Sequence, residues 1–364
     1  MGNEYLPNPI NALRALAIIC VFLLHVTLFE STELFQNGDW TFIFMTPAWA
    51  GVWILFIIAG YLGGKGFADE RYKAGAEGGA PYIFRKFRNV WLPTIFFVFL
   101  ITVLCYPAFF IDNNIFYQFF ILTYNGNPGV DGIGATWFVF TIMWLFILTP
   151  FACAILNRIK SKRILLLVLS GTIIAGLTYR IFSLDAGLDW YSFVYTSPFG
   201  NIDLYFSGVL TSYILKDVSF KPGNYLKLIS IFTVVVLIVI NSWIYYKNQY
   251  EIYMYYLPTV YILAILLFLF SFKESKGRKK LTLKMMTKHP FSFIDWFAGI
   301  SFEFYLFHSI VLYKIAPHLA NWSSLTNHFV LVATSFVVSC TLAYAFSRIF
   351  KKTSENAFEV NENH

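Results

Sequence analysis

Ten apolar stretches alternate with short polar connections along the chain, at approximately 10–29, 46–64, 89–109, 134–156, 163–182, 196–216, 225–246, 252–272, 298–317 and 326–349. A helix needs about 20 mostly apolar residues to cross a hydrocarbon core of roughly 30 Å. Each stretch has that length, and backbone groups in lipid must be satisfied within the segment, which favours helix. The pattern predicts an all-α polytopic membrane protein of about ten transmembrane helices. A further apolar run, Ile115 to Tyr124, is too short to span and reads as a re-entrant or interfacial segment.

Composition supports this reading. Only 13% of the residues are charged and 58% are hydrophobic, with a mean hydropathy of +0.61. Soluble domains average roughly 25% charged residues, so the surface faces something other than water, and membrane lipid is the simplest partner. The net charge of +7 could invite a nucleic-acid reading, but no basic helix or aromatic-basic recognition module accompanies it. Instead the basic residues alternate with the spans. With the amino terminus inside, 23 of the 27 Lys and Arg fall on the cytosolic side, many of them in 65–88 and 273–288. The opposite side carries Arg180, Lys247 and Lys314, and the remaining one, Arg14, lies within the first span. This asymmetry follows the positive-inside rule, and an even number of spans puts both termini in the cytosol.

The first span is expected to remain as an anchor, because Met1 to Pro9 holds Glu4 and no basic residue, and no small-residue cleavage pattern follows. Residues 1–350 read as one transmembrane domain and 351–364 as a short polar cytosolic tail, without an internal repeat. The four cysteines lie singly in apolar stretches and read as core-filling residues. No metal site is expected.

The chemistry is sought among charges placed where lipid should exclude them. Arg14 costs about 2.5–3.5 kcal/mol near a bilayer centre and less near the edge. His25 follows eleven residues later, which leaves the two about 20° apart around the helix and about 16 Å apart along it. Each alone also suits a snorkelling Arg or an interfacial His; on one face of an otherwise uncharged helix they read as a functional pair. Arg85 and Arg88, three residues apart at the entrance to the third span, suit bidentate phosphate binding, although helix ends on the cytosolic side attract Arg in any case. Glu303 and His308 in the ninth span are separated by about 140° and need not act together, and His308 fits an interhelical hydrogen bond as well as chemistry. Asp203, in GNIDLYFSG, is a further acid whose role is substrate binding or structural. His25 and Glu30 have an H-x4-E spacing, but the same 140° offset argues against a shared task. The GGKG around Lys65 lacks the spacing of a phosphate loop and reads as a loosened helix exit. No nucleophile elbow or His/Cys cluster is present.

Taken in order, these residues resemble the acyltransferase-3 family of bacterial membrane acyltransferases. The R-x10-H signature falls on Arg14 and His25, and R-x-x-R on Arg85 and Arg88. The SGYL-like end of the second helix appears as AGYL, with Ala59 in place of Ser before Gly60 and Tyr61. Trp137, Phe138 and Pro150 match a W-F pair before a proline-ended helix, and Ser301, Tyr305, Leu306 and His308 match S-x-x-x-Y-L-x-H. The resemblance covers residues 11 to about 312. It implies transfer of an acyl group from acyl-CoA, most often acetyl-CoA, to a hydroxyl of a surface glycan or lipid-linked sugar, in the bacterial cytoplasmic (inner) membrane. By that resemblance His25 and Arg14 are catalytic and Arg85, Arg88 and Arg14 bind the donor, while Tyr61, Trp137 and His308 join Glu303 and Asp203 as substrate-binding or structural polar positions. His25 acts either as general base or as acyl carrier. A polysaccharide or lipid-linked sugar exporter and an O-succinyltransferase of the same family are the competing readings. An inward-facing cation near His25 would favour the succinyl donor, and the sequence reveals none.

Overall fold

A computed structural model describes residues 8–28, 48–105, 134–216, 222–246, 255–272, 292–319 and 324–359. Among these the chain forms helices and no strands: α1 (Pro9–Leu28), α2 (Ala48–Ala68), α3 (Ala76–Lys86), α4 (Leu92–Cys105), α5 (Trp137–Leu156), α6 (Lys162–Asp185), α7 (Ile202–Leu215), α8 (Asn224–Tyr246), α9 (Leu257–Ser271), α10 (Ser292–Ile315) and α11 (Ser324–Glu359). A π-helical turn, Phe87–Trp91, joins α3 to α4, so the two make one continuous span, Gly78–Cys105. Among the described residues, eight spans are long and apolar enough to cross a membrane. The other two predicted stretches hold α7 and α9, of 14 and 15 residues, preceded by a 3-10 turn (Phe199–Asn201) and by Tyr255 and Tyr256 in a π turn. The run 115–124 and the basic stretch 273–288 lie outside the described residues. At the other end, α11 continues as helix to Glu359, into the segment expected as a polar tail.

The two sides of the bundle follow from sequence. Helices α6, α8 and α11 turn Leu167, Phe232 and Val337 outward, an apolar exposure that lipid matches. Helix α2 is the most enclosed. Lipid tails are as apolar as Leu, so enclosed helices associate through close van der Waals packing, which small residues permit. A Cβ at Gly60 would sit 1.9 Å from the Tyr205 carbonyl oxygen, and one at Gly208 2.1 Å from that of Ile57. Only glycine lets the α2 and α7 backbones meet there. The run Gly63-Gly64-Lys65-Gly66 stays helical rather than loosening the exit of α2; Gly64 faces the Val209 backbone of α7.

Helices α1 and α10 lie side by side and parallel. Asn11 Nδ2 donates to Asp295 Oδ1 at 2.7 Å, over a sequence separation of 284. Three to four turns further along α1, Phe22 packs on Phe304 and His25 meets His308 at a separation of 283. The register therefore holds along the pair, and it is what assembles the site.

Candidate functional site

Arg14, in the second turn of α1, lines a cavity of about 340 Å³. Ile18, one turn along the same face, lines it too, with Leu55, Ala59 and Leu62 of α2, Phe138 and Phe146 of α5, and Ser301, Glu303 and Tyr305 of α10. The walls are mostly apolar, with Arg14, Lys86, Asn89, Ser301 and Glu303 as polar groups among them, as small-molecule sites are built. Ala59, the one departure from the expected motif in α2, is part of this wall.

The basic cluster at the head of the third span divides. Arg85 is exposed and donates from Nη1 to the Tyr72 hydroxyl at 2.9 Å. Arg88 donates from Nε to Asn89 Oδ1 at 3.3 Å, and Asn89 lines the cavity. Lys86, between them, reaches inward: it lines the cavity with Arg14, and its Nζ lies 4.2 Å from the Phe146 ring centroid and 5.4 Å from that of Tyr82. Aromatic faces hold a cation electrostatically with little hydration. Sequence reasoning counted Lys86 only among the cytosolic-side basic residues of 65–88. The available signal was Tyr82, four residues earlier and therefore on the same helical face, which is buried.

His25 lies three turns beyond Arg14 and does not line the cavity. It meets His308, which is 1% exposed, with ring centroids 4.7 Å apart. Three contacts fix the geometry: His25 Nδ1 to Val21 O at 2.8 Å, His308 Nδ1 to Tyr305 O at 2.7 Å, and His308 Nε2 to His25 Nδ1 at 3.2 Å. Tyr305 links the two regions. It lines the cavity, its hydroxyl donates to Ala135 O just before α5, its ring packs on Phe138, and the His308 ring lies 5.7 Å away. The structure thus joins Arg14, Lys86 and Glu303 in one cavity and sets the histidine pair behind its Tyr305 wall.

The remaining sequence candidates sit apart from that cavity. Asp203 is fully buried and takes both terminal nitrogens of Arg180, at 3.0 and 2.7 Å. Arg180 also donates to Gly200 O, Tyr255 O and Thr259 Oγ1. Expected at the outer edge of its span, Arg180 instead turns inward from α6 and ties it to α7 and α9. Removing one member of such a pair leaves a buried charge uncompensated, at a cost of about 3–5 kcal/mol. Asp203→Ala should therefore lower the thermal midpoint or the folded yield in detergent, read by fluorescence-detected size exclusion, whereas Arg85→Ala should not. Tyr61 is buried in α2, and Trp137 packs on Tyr195, centroids 4.5 Å apart; neither lines the cavity. Among the described residues, no group of three or more His, Cys, Asp or Glu could hold a metal ion.

Comparison with known proteins matches the chain to a family. The family model described as an acyltransferase domain covers residues 9–348, from the first residue of α1 to within α11. No curated protein and no solved structure matches.

Proposed function

The chain belongs to this acyltransferase family, as a multi-pass membrane enzyme, and from that premise we propose that it carries an acyl group from cytosolic acyl-CoA, acetyl-CoA in the first instance, to a hydroxyl of an extracytoplasmic or lipid-linked glycan in the bacterial inner membrane. The reading rests on one observation: Arg14 and Lys86 share a cavity whose Tyr305 wall adjoins the His25–His308 pair. The donor's phosphates belong at the cationic end, with Arg85 and Arg88 flanking the approach. Its thioester arm then lies along the apolar walls toward Tyr305.

His25 carries the transfer. As a general base its Nε2 takes the acceptor's hydroxyl proton while the oxygen bonds to the thioester carbonyl carbon. The C–S bond breaks, and the departing thiolate takes that proton from the imidazolium. As an acyl carrier, Nε2 attacks the thioester carbonyl first and the C–S bond breaks to release the thiolate; in a second step the hydroxyl oxygen takes the acyl group from Nε2 and its proton ends on the thiolate. Both routes need a lone pair on Nε2.

The test is reconstitution. Purified protein in lipid nanodiscs, given acetyl-CoA labelled in its acetyl group and a de-esterified surface glycan or its lipid-linked precursor, should yield base-labile label on the glycan. Glycan that stays unlabelled with every acyl-CoA tried overturns the assignment.

A further inference from the structure

We infer that His308 is a positioning residue, which holds His25 in the tautomer whose Nε2 is free to accept a proton or an acyl group. The inference rests on the reading of His25 as the reacting imidazole.

The argument follows the protons. A carbonyl oxygen only accepts, so the 2.7 Å contact of His308 Nδ1 with Tyr305 O puts the proton on that nitrogen. In the neutral ring the other nitrogen is then an acceptor, and His308 Nε2 presents its lone pair to His25 Nδ1 at 3.2 Å. The Val21 carbonyl, 2.8 Å from the same nitrogen, makes the same demand. Two acceptors facing one nitrogen fix the proton of His25 on Nδ1 and leave Nε2 bare. Val21 belongs to the same helix, so its carbonyl constrains the ring only through the local turn. His308 comes from α10 and sets the ring from outside. Its own orientation is over-determined, by the Tyr305 carbonyl and by Phe304, whose ring is parallel to it within 6°.

The contact also strengthens when it is needed. Once Nε2 of His25 takes a proton, Nδ1–H becomes a cationic donor, and a hydrogen bond from an ionised group is roughly twice as strong as a neutral one. His308 thus stabilises the charged imidazole more than the neutral one, which lowers the barrier rather than tightening ground-state binding. A neutral imidazole has taken the orienting place that a carboxylate fills in many acid–base pairs, which suits a layer where a permanent charge would be costly.

Two substitutions separate this role from simple packing. Glutamine can place an acceptor oxygen near the position of Nε2; methionine fills similar space with a very weak one. His308→Gln should keep kcat within about threefold of wild type, while His308→Met should lose about 10- to 100-fold in kcat at unchanged KM for the donor. Both should elute as folded protein. Equal kcat for the two variants, at either level, overturns the inference. A wild-type measurement decides the matter if the methionine variant fails to fold. In 15N spectra of histidine-labelled protein, the His25 signals, identified by their loss in His25→Asn, should show Nδ1 protonated and Nε2 bare. A proton found on Nε2 overturns the inference. Should the wild type transfer no acyl group at all, the proposed function fails, and a proton found on Nε2 of His25 still overturns the positioning claim on its own.

Discussion

His25→Ala is expected to lower acyl transfer by about 10²- to 10⁴-fold if His25 is a general base, and to background if it carries the acyl group. The substitution should leave insertion and folding intact, because the His25 ring is only partly buried and its recorded partners are the Val21 carbonyl and His308. Label transfer is compared at matched amounts of folded protein. Wild-type protein incubated with labelled donor and no acceptor then separates the two routes. An acyl carrier retains label that hydroxylamine releases, and a general base retains none. A folded His25→Ala protein that still acylates glycan at the wild-type rate removes His25 from the reaction.

Much of this architecture is legible in the chain because a bilayer constrains it so strongly. The ten apolar stretches each hold a helix, since lipid leaves backbone polar groups no other partner. Where the reading stopped short, tertiary packing made the difference. The glycine run after Tyr61 looks like a loosened helix end in isolation, but α7 packs against it, and the helix continues because its missing side chains are what the neighbour requires. Arg180 looks like an outer-edge charge until Asp203 arrives from another helix.

The site was half legible for a related reason. Arg14 and His25 share a helix, so their common face follows from residue spacing alone. His308 joins His25 only because α1 and α10 run parallel in a fixed register, set from Asn11 and Asp295 onward, and a single sequence states no register between helices. Lys86 was overlooked because it stands between two arginines whose spacing drew the phosphate-binding reading to themselves. The π turn at Phe87–Trp91 begins just after it, and the three charges do not act as one face.

That difference between Lys86 and its neighbours predicts the second large effect. Charge-assisted hydrogen bonds contribute about 1.5–3 kcal/mol, which corresponds to about 10- to 100-fold in donor affinity. An exposed ion pair contributes about 0–1 kcal/mol. Lys86 faces the cavity beside Arg14, whereas Arg85 is exposed and tied to Tyr72. Lys86→Met should therefore raise KM for acetyl-CoA by about 10- to 100-fold with little change in kcat, and Arg85→Met should raise it by no more than about fivefold. Methionine keeps an apolar stem of similar length and loses the charge that Lys86 Nζ sets over Phe146 and Tyr82. Running the same variant with succinyl-CoA distinguishes what the cation reads. A KM raised equally for both donors assigns Lys86 to the phosphates they share. A KM raised for succinyl-CoA alone assigns it to the carboxylate of the acyl chain and makes the enzyme a succinyltransferase by design. Unchanged KM values for both donors take Lys86 out of donor binding and leave Arg14 as the cation of that chamber.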